Sequence, residues 1–133
     1  MWVVHLINKI DPRNGGLAGL TRADELTDDG SLWYTCCWDF KLDEAKKLVG
    51  GMVFLHREKK RPADKAGKVL KVWPIDLRDK SQERYFPHVE SMGLEVSRPQ
   101  RVRFLMEMIP VDREMRWRGQ DHDRSWTSGI IEV

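Results

Sequence analysis

Apolar residues alternate or cluster along this chain in blocks short enough to be strands, with one block spaced for a helix. Val3, Val4, Leu6 and Ile7 make Met1 to Asn8 an opening strand. Lys9 to Gly30 then runs polar and glycine-rich, with Pro12 and Asp28-Asp29, and reads as a long loop with one helical turn around Arg22 to Leu26. Loops of that length inside a small domain are often functional. Ser31 to Trp38 is dense in aromatic residues and Thr, as strands are. Leu42, Ala45, Leu48 and Val49 share one helical face. Asp43 and Glu44 in the first turn and Lys46 and Lys47 near the end complement the helix dipole, and Gly50 supplies the stop.

Met52 to His56 is a nearly continuous apolar run, the pattern of a buried strand. The loop Arg57 to Ala66 carries Lys59, Lys60, Arg61, Pro62 and Lys65. Lys68 to Ile75 alternates again, with Pro74 marking an edge or a bulge. Asp76 to Gly93 is polar and irregular. Arg101 to Ile109 is a further strand, with Val102, Phe104, Met106 and Met108 on one face, ended by Pro110. Asp112 to Ser128 is charged, and Gly129 to Val133 closes the sheet. Five or six strands with short helices, no repeats and no linker predict one α+β domain over residues 1–133, a small mixed β-barrel whose openings the helices plug.

Composition narrows the picture only a little. A chain of 133 residues can bury a core without disulfides or metals. Its 23 basic and 21 acidic residues nearly cancel, so any attraction for a polyanion must come from local clusters. The opening segment lacks the leader and cleavage site of a signal peptide, and no apolar run approaches a membrane span. Cys36 and Cys37 are neighbours, too constrained to pair with each other, and two free thiols fit a reducing compartment. The expectation is a cytoplasmic domain without a membrane partner.

Chemistry concentrates between Trp33 and Val72. The six tryptophans are many for this length, and Trp33, Trp38, Trp117 and Trp126 are candidates to sandwich a base. Base–aromatic stacking is worth ~1–3 kcal/mol per base. The same indoles would also fill a small barrel's core. Trp33 and Tyr34 point to opposite faces of a regular strand, so one pocket cannot use both. Thr35 and Cys36 offer a hydroxyl and a weak thiol donor to a base edge, and His56 stands at a strand end beside the basic loop. Lys59, Lys60, Arg61 and, in Arg116-Trp117-Arg118, Arg118 are candidate phosphate contacts; basic loops elsewhere are mostly solvated faces. No Cys or His spacing matches a metal site, the glycine pairs do not fit a phosphate cradle, and no cofactor is expected.

The same stretch resembles the PUA-like superfamily, especially its EVE, ASCH and YTH branches. The residues that carry the likeness are Trp33-Tyr34-Thr35-Cys36-Cys37-Trp38, Glu44-Ala45-Lys46-Lys47, Gly50-Gly51, Met52 to His56 and Gly67-Lys68-Val69. EVE domains place an Asn ahead of the helix and an Asp after the glycine; here those regions hold Cys36-Cys37-Trp38 and Gly51. The resemblance implies a pseudobarrel that holds an unstacked nucleobase, modified or not, in an aromatic pocket, and hence an RNA- or DNA-binding module reading a single-stranded segment or flipped base. Some ASCH proteins are amidohydrolases acting on modified nucleosides. That alternative would draw on Thr35 or Lys46 with Glu44 or Glu107. A third class is a small-molecule or protein-interaction module.

Overall fold

The computed structural model describes residues 1–8, 10, 15–17, 20–22, 31–38, 40–58, 60–75, 101–117 and 130–133. Strands β1 (Trp2–Ile7), β2 (Thr21–Arg22), β3 (Leu32–Trp38), β4 (Met52–His56), β5 (Lys65–Ile75), β6 (Arg101–Ile109) and β7 (Ile130–Glu132) accompany one helix, α1 (Leu42–Lys46). They form a single seven-stranded sheet in the order β2-β3-β6-β5-β4-β1-β7. β1 and β4 run parallel and every other neighbouring pair is antiparallel. The sheet is mixed, and among the described residues its end strands β2 and β7 do not pair.

One face of this sheet holds the core. Val4, Val53, Leu55, Val69, Val102, Phe104 and Met106 project from the strands onto Phe40, Ala45 and Leu48, which α1 and its flanks bring down over them. Ala45 and Leu48 are fully buried, but Val49, expected on the same helical face, is 51% exposed. The helix ends at Lys46 and the chain leaves through turns, which rotate Val49 outward. Gly50 then takes a φ of +83°, a conformation that glycine adopts without a Cβ penalty. At Gly51 a Cβ would collide with the Trp2 carbonyl oxygen. The close approach of β1 explains why no side chain stands there.

Two strands depart from the alternation that their sequences suggest. Thr35 faces Phe104 and Trp38 faces Val102, so β3 spends an extra residue at Cys36–Cys37. Such a bulge re-aims the side chains beyond it. A second bulge at Leu70 separates Val69, opposite Met106, from Lys71, opposite Leu105. β5 begins at Lys65, three residues before the expected start, because its pairing with β4 reaches back to Leu55. Its Pro74 lies beyond that pairing, where β6 is the neighbour seen. Arg22, expected in a helical turn, pairs with Trp33 in β2; residues 23–30 lie outside the described part, as do residues 76–100.

Candidate functional site

The register of β3 against β6 decides where the aromatic residues go. Trp33 pairs with Met106 and Thr35 with Phe104, so both face the core side, whereas Tyr34 pairs with Leu105 on the other. Trp33 stands near the end of that core side and is half-buried. It lines a cavity of about 310 Å³ with Leu20, Asp64, Lys65, Met108 and the segment Ile109 to Val111. Thr35 has no exposed surface, and its hydroxyl accepts a hydrogen bond from Trp38 Nε1 at 3.1 Å. Through the bulge, Trp38 returns to the core side and packs against the buried cluster. Trp33 therefore forms a cavity wall, while Thr35 and Trp38 are tied to each other in the interior. Cys36 belongs to β3 by its backbone; its side chain lies outside the described part.

His56 and Trp117 lie on the opposite face. Val53 and Leu55 of β4 point into the core, so Met52, Phe54 and His56 point away from it. On β1 the equivalent positions are Val3 and His5. The His5 ring stacks on Phe54, its cross-strand partner, with centroids 4.4 Å apart and planes at 18°. His5 Nδ1 lies 2.7 Å from His56 Nε2, and His56 Nδ1 lies 3.1 Å from the Arg61 carbonyl oxygen. A carbonyl only accepts, so His56 Nδ1 carries the proton. With His56 neutral, Nε2 is left to accept from His5 Nδ1–H. Trp117 meets both imidazoles edge-on, at 6.0 Å from His5 and 5.1 Å from His56. Burial pushes the His56 pKa below its ordinary value; the Arg61 hydrogen bond and the Asp64 charge oppose this. A further cavity of about 300 Å³ opens beside His5, between β1, β4 and the segment Asp112 to Arg116.

The basic loop joins these two regions. Arg57 closes its base on Asp64, donating from its backbone N–H to Oδ2 at 2.7 Å and from Nε to Oδ1 at 2.8 Å. Asp64 N–H donates to the Leu55 carbonyl and Ala63 N–H to that of Met115, which pins the loop from both sides. Lys60 and Arg61 are exposed on it. Lys59, Arg118 and Trp126 lie outside the described residues.

The expected site residues thus divide between faces, Trp33, Thr35 and Trp38 on one and His56 and Trp117 on the other. Of the groupings offered for an amidohydrolase, Thr35 with Glu107 is not assembled. Thr35 is enclosed on the core side, and Glu107 is exposed on the other face, opposite Lys68. No group of His, Cys, Asp or Glu among the described residues could hold a metal ion. Sequence reasoning missed Asp64 and Leu20 at the Trp33 cavity and His5 as the partner of His56. It also did not foresee the setting of Arg103, whose guanidinium lies 4.8 Å from the Tyr34 ring and 4.6 Å from that of Trp73. Only Asp64 left a signal, an acid flanking a basic hairpin loop. Comparison with protein-family models, curated proteins and solved structures yields no match.

Proposed function

We propose that this domain binds single-stranded or locally opened nucleic acid, RNA or DNA, by holding one base against Trp33. The observation that carries the reading is the placement of Trp33: a half-buried indole that walls an open cavity of about 310 Å³ beside a cationic loop. That volume lies at the small end of the range for ligand sites. Leu20, Met108 and Pro110 offer apolar surface for the base, and the exposed Lys60 and Arg61 lie on the adjoining loop for phosphates. Trp38 and Trp117 drop out as partners in the sandwich, since one is packed on the core and the other belongs to the far face.

A PUA-like pseudobarrel remains the fold we propose, supported by the mixed sheet and by bulges in β3 and β5 of the kind that curl a sheet. We place the domain in the cytoplasm on its adjacent cysteines. No helix among the described residues is long and apolar enough to cross a membrane.

Titration of short single-stranded RNA and DNA against the wild type and Trp33→Ala tests the reading. The variant should lose ~1–3 kcal/mol of binding through lost stacking while melting close to the wild type. Absence of binding by the wild type, or equal binding by the variant, would overturn it.

A further inference from the structure

The Trp33 cavity contains more than an aromatic wall. Among its described lining residues, Asp64 and Lys65 carry charge, and the others are apolar or aromatic. Asp64 is held in place: Arg57 donates to each of its oxygens, at 2.7 and 2.8 Å. A carboxylate has about four lone-pair sites, so both oxygens keep accepting capacity after Arg57 is satisfied. Its side chain is 21% exposed, shielded enough for a directed hydrogen bond to count. Lys65, adjacent and exposed, supplies donors and no acceptor.

A carboxylate and an ammonium contributed to one cavity specify a particular edge. Guanine presents two neighbouring donors, N1–H and the 2-amino group, followed by the O6 acceptor. Two carboxylate oxygens accept the pair of donors, and a lysine donates to O6. Adenine and cytosine offer one amino donor beside a ring nitrogen that accepts, and that nitrogen would face the carboxylate lone pairs. Uracil and thymine offer one N–H between two carbonyl oxygens, with the same conflict. Mismatched buried acceptors discriminate more strongly than a lost attraction does. We infer that the cavity selects guanine, with Asp64 reading N1–H and the 2-amino group, Lys65 meeting O6, and Trp33 stacking on the ring. The inference rests on the base-binding reading above and names the base.

The test measures dissociation constants for pyrimidine oligonucleotides, as RNA and as DNA, each carrying one central guanine, adenine, cytosine or hypoxanthine. Guanine should bind about tenfold or more tightly than adenine or cytosine, as a bidentate base contact does. Hypoxanthine lacks the 2-amino donor and should fall between. Asp64→Asn should erase the preference. Because that change also touches the Arg57 pair, the guanine–hypoxanthine difference on the wild type serves as the independent readout. Equal affinity for all four strands, still dependent on Trp33, would overturn guanine selection and leave base binding intact. No binding of any strand would overturn the base-binding reading itself.

Discussion

The two faces of the sheet hold their polar and aromatic groups in opposite ways. Around Trp33 the indole borders open volume, and Asp64, pinned by Arg57, stands at the same cavity with accepting capacity to spare. Around His56 the rings and hydrogen bonds close on one another: His5 to His56, His56 to the Arg61 carbonyl, Trp117 edge-on to both. The first arrangement leaves bonding capacity at its cavity. In the second, both ring nitrogens of His56 are used in holding β1, β4 and the basic loop together, although a cavity of about 300 Å³ opens beside His5. An aromatic residue near a histidine is not by itself a binding site. What separates the cases is whether the neighbours' bonding capacity is already used.

The sharpest way to break this contrast is to remove His56. It is fully buried and bonded at both ring nitrogens. His56→Ala should cost about 3–5 kcal/mol of stability, from a cavity and from buried partners left unpaired. Chemical denaturation measures this directly. A loss below about 1 kcal/mol, comparable to an ordinary surface change, would show that the far face is not the structural anchor that its closed network suggests.

Thr35 offers a smaller probe on the near face. Thr35→Val keeps the shape but leaves Trp38 Nε1 without its acceptor at 3.1 Å. The expected cost is about 1–2 kcal/mol of stability. Base binding should change little, since the Trp33 cavity does not include Thr35. If Thr35→Val instead weakened oligonucleotide binding while leaving stability intact, the hydroxyl would belong to the site after all.

The outcome of these comparisons tracks what the sequence could disclose. Strands β3, β4 and β6 and the start of α1 were legible because apolar periodicity reports a buried face directly. The opposition of Trp33 and Tyr34 followed from the two-residue repeat. The bulge at Cys36–Cys37 broke that repeat, so the return of Trp38 to Thr35 was invisible. The parallel pairing of β1 with β4 brings His5 beside His56 across 51 positions, and nothing local encodes such a pairing. Asp64 was passed over because an acid in a basic loop resembles ordinary surface until its partner Arg57 and its cavity are seen together.

Charge on the loop sharpens the contrast further, through ligand binding rather than stability. Lys60 and Arg61 are exposed, and on the proposed reading they meet phosphates. Each phosphate contact contributes about 0.7 to the slope of log affinity against log salt for single strands. Lys60→Ala with Arg61→Ala should therefore flatten that slope by about 1.4, without altering the preference among bases. The Arg61 bond to His56 uses the backbone carbonyl, so the side-chain change should leave the far face intact. An unchanged slope would return the loop to the class of solvated surface.

The smallest expected effect separates the faces by pH. Burial lowers the folded-state pKa of His56 below the ordinary 6.5 that it regains on unfolding. Above pH 6.5 both states are neutral there, and His56 adds no pH dependence. As pH falls through 6.5, the unfolded chain takes up a proton that the folded chain resists, so stability declines. The decline stops once pH passes below the lowered folded value, where both states are charged. Denaturation midpoints tracked downward from about pH 7.5, above the ordinary His range, should show this loss in the wild type. In His56→Asn, where the titrating ring is gone, the pH dependence between the two values should be shallower. Base binding to the Trp33 cavity, measured over the same range at temperatures well below melting, should not track the stability curve. If binding and stability fell together through this window, the two faces would be coupled through Arg61 and Asp64, and the division between an open site and a closed anchor would have to be abandoned.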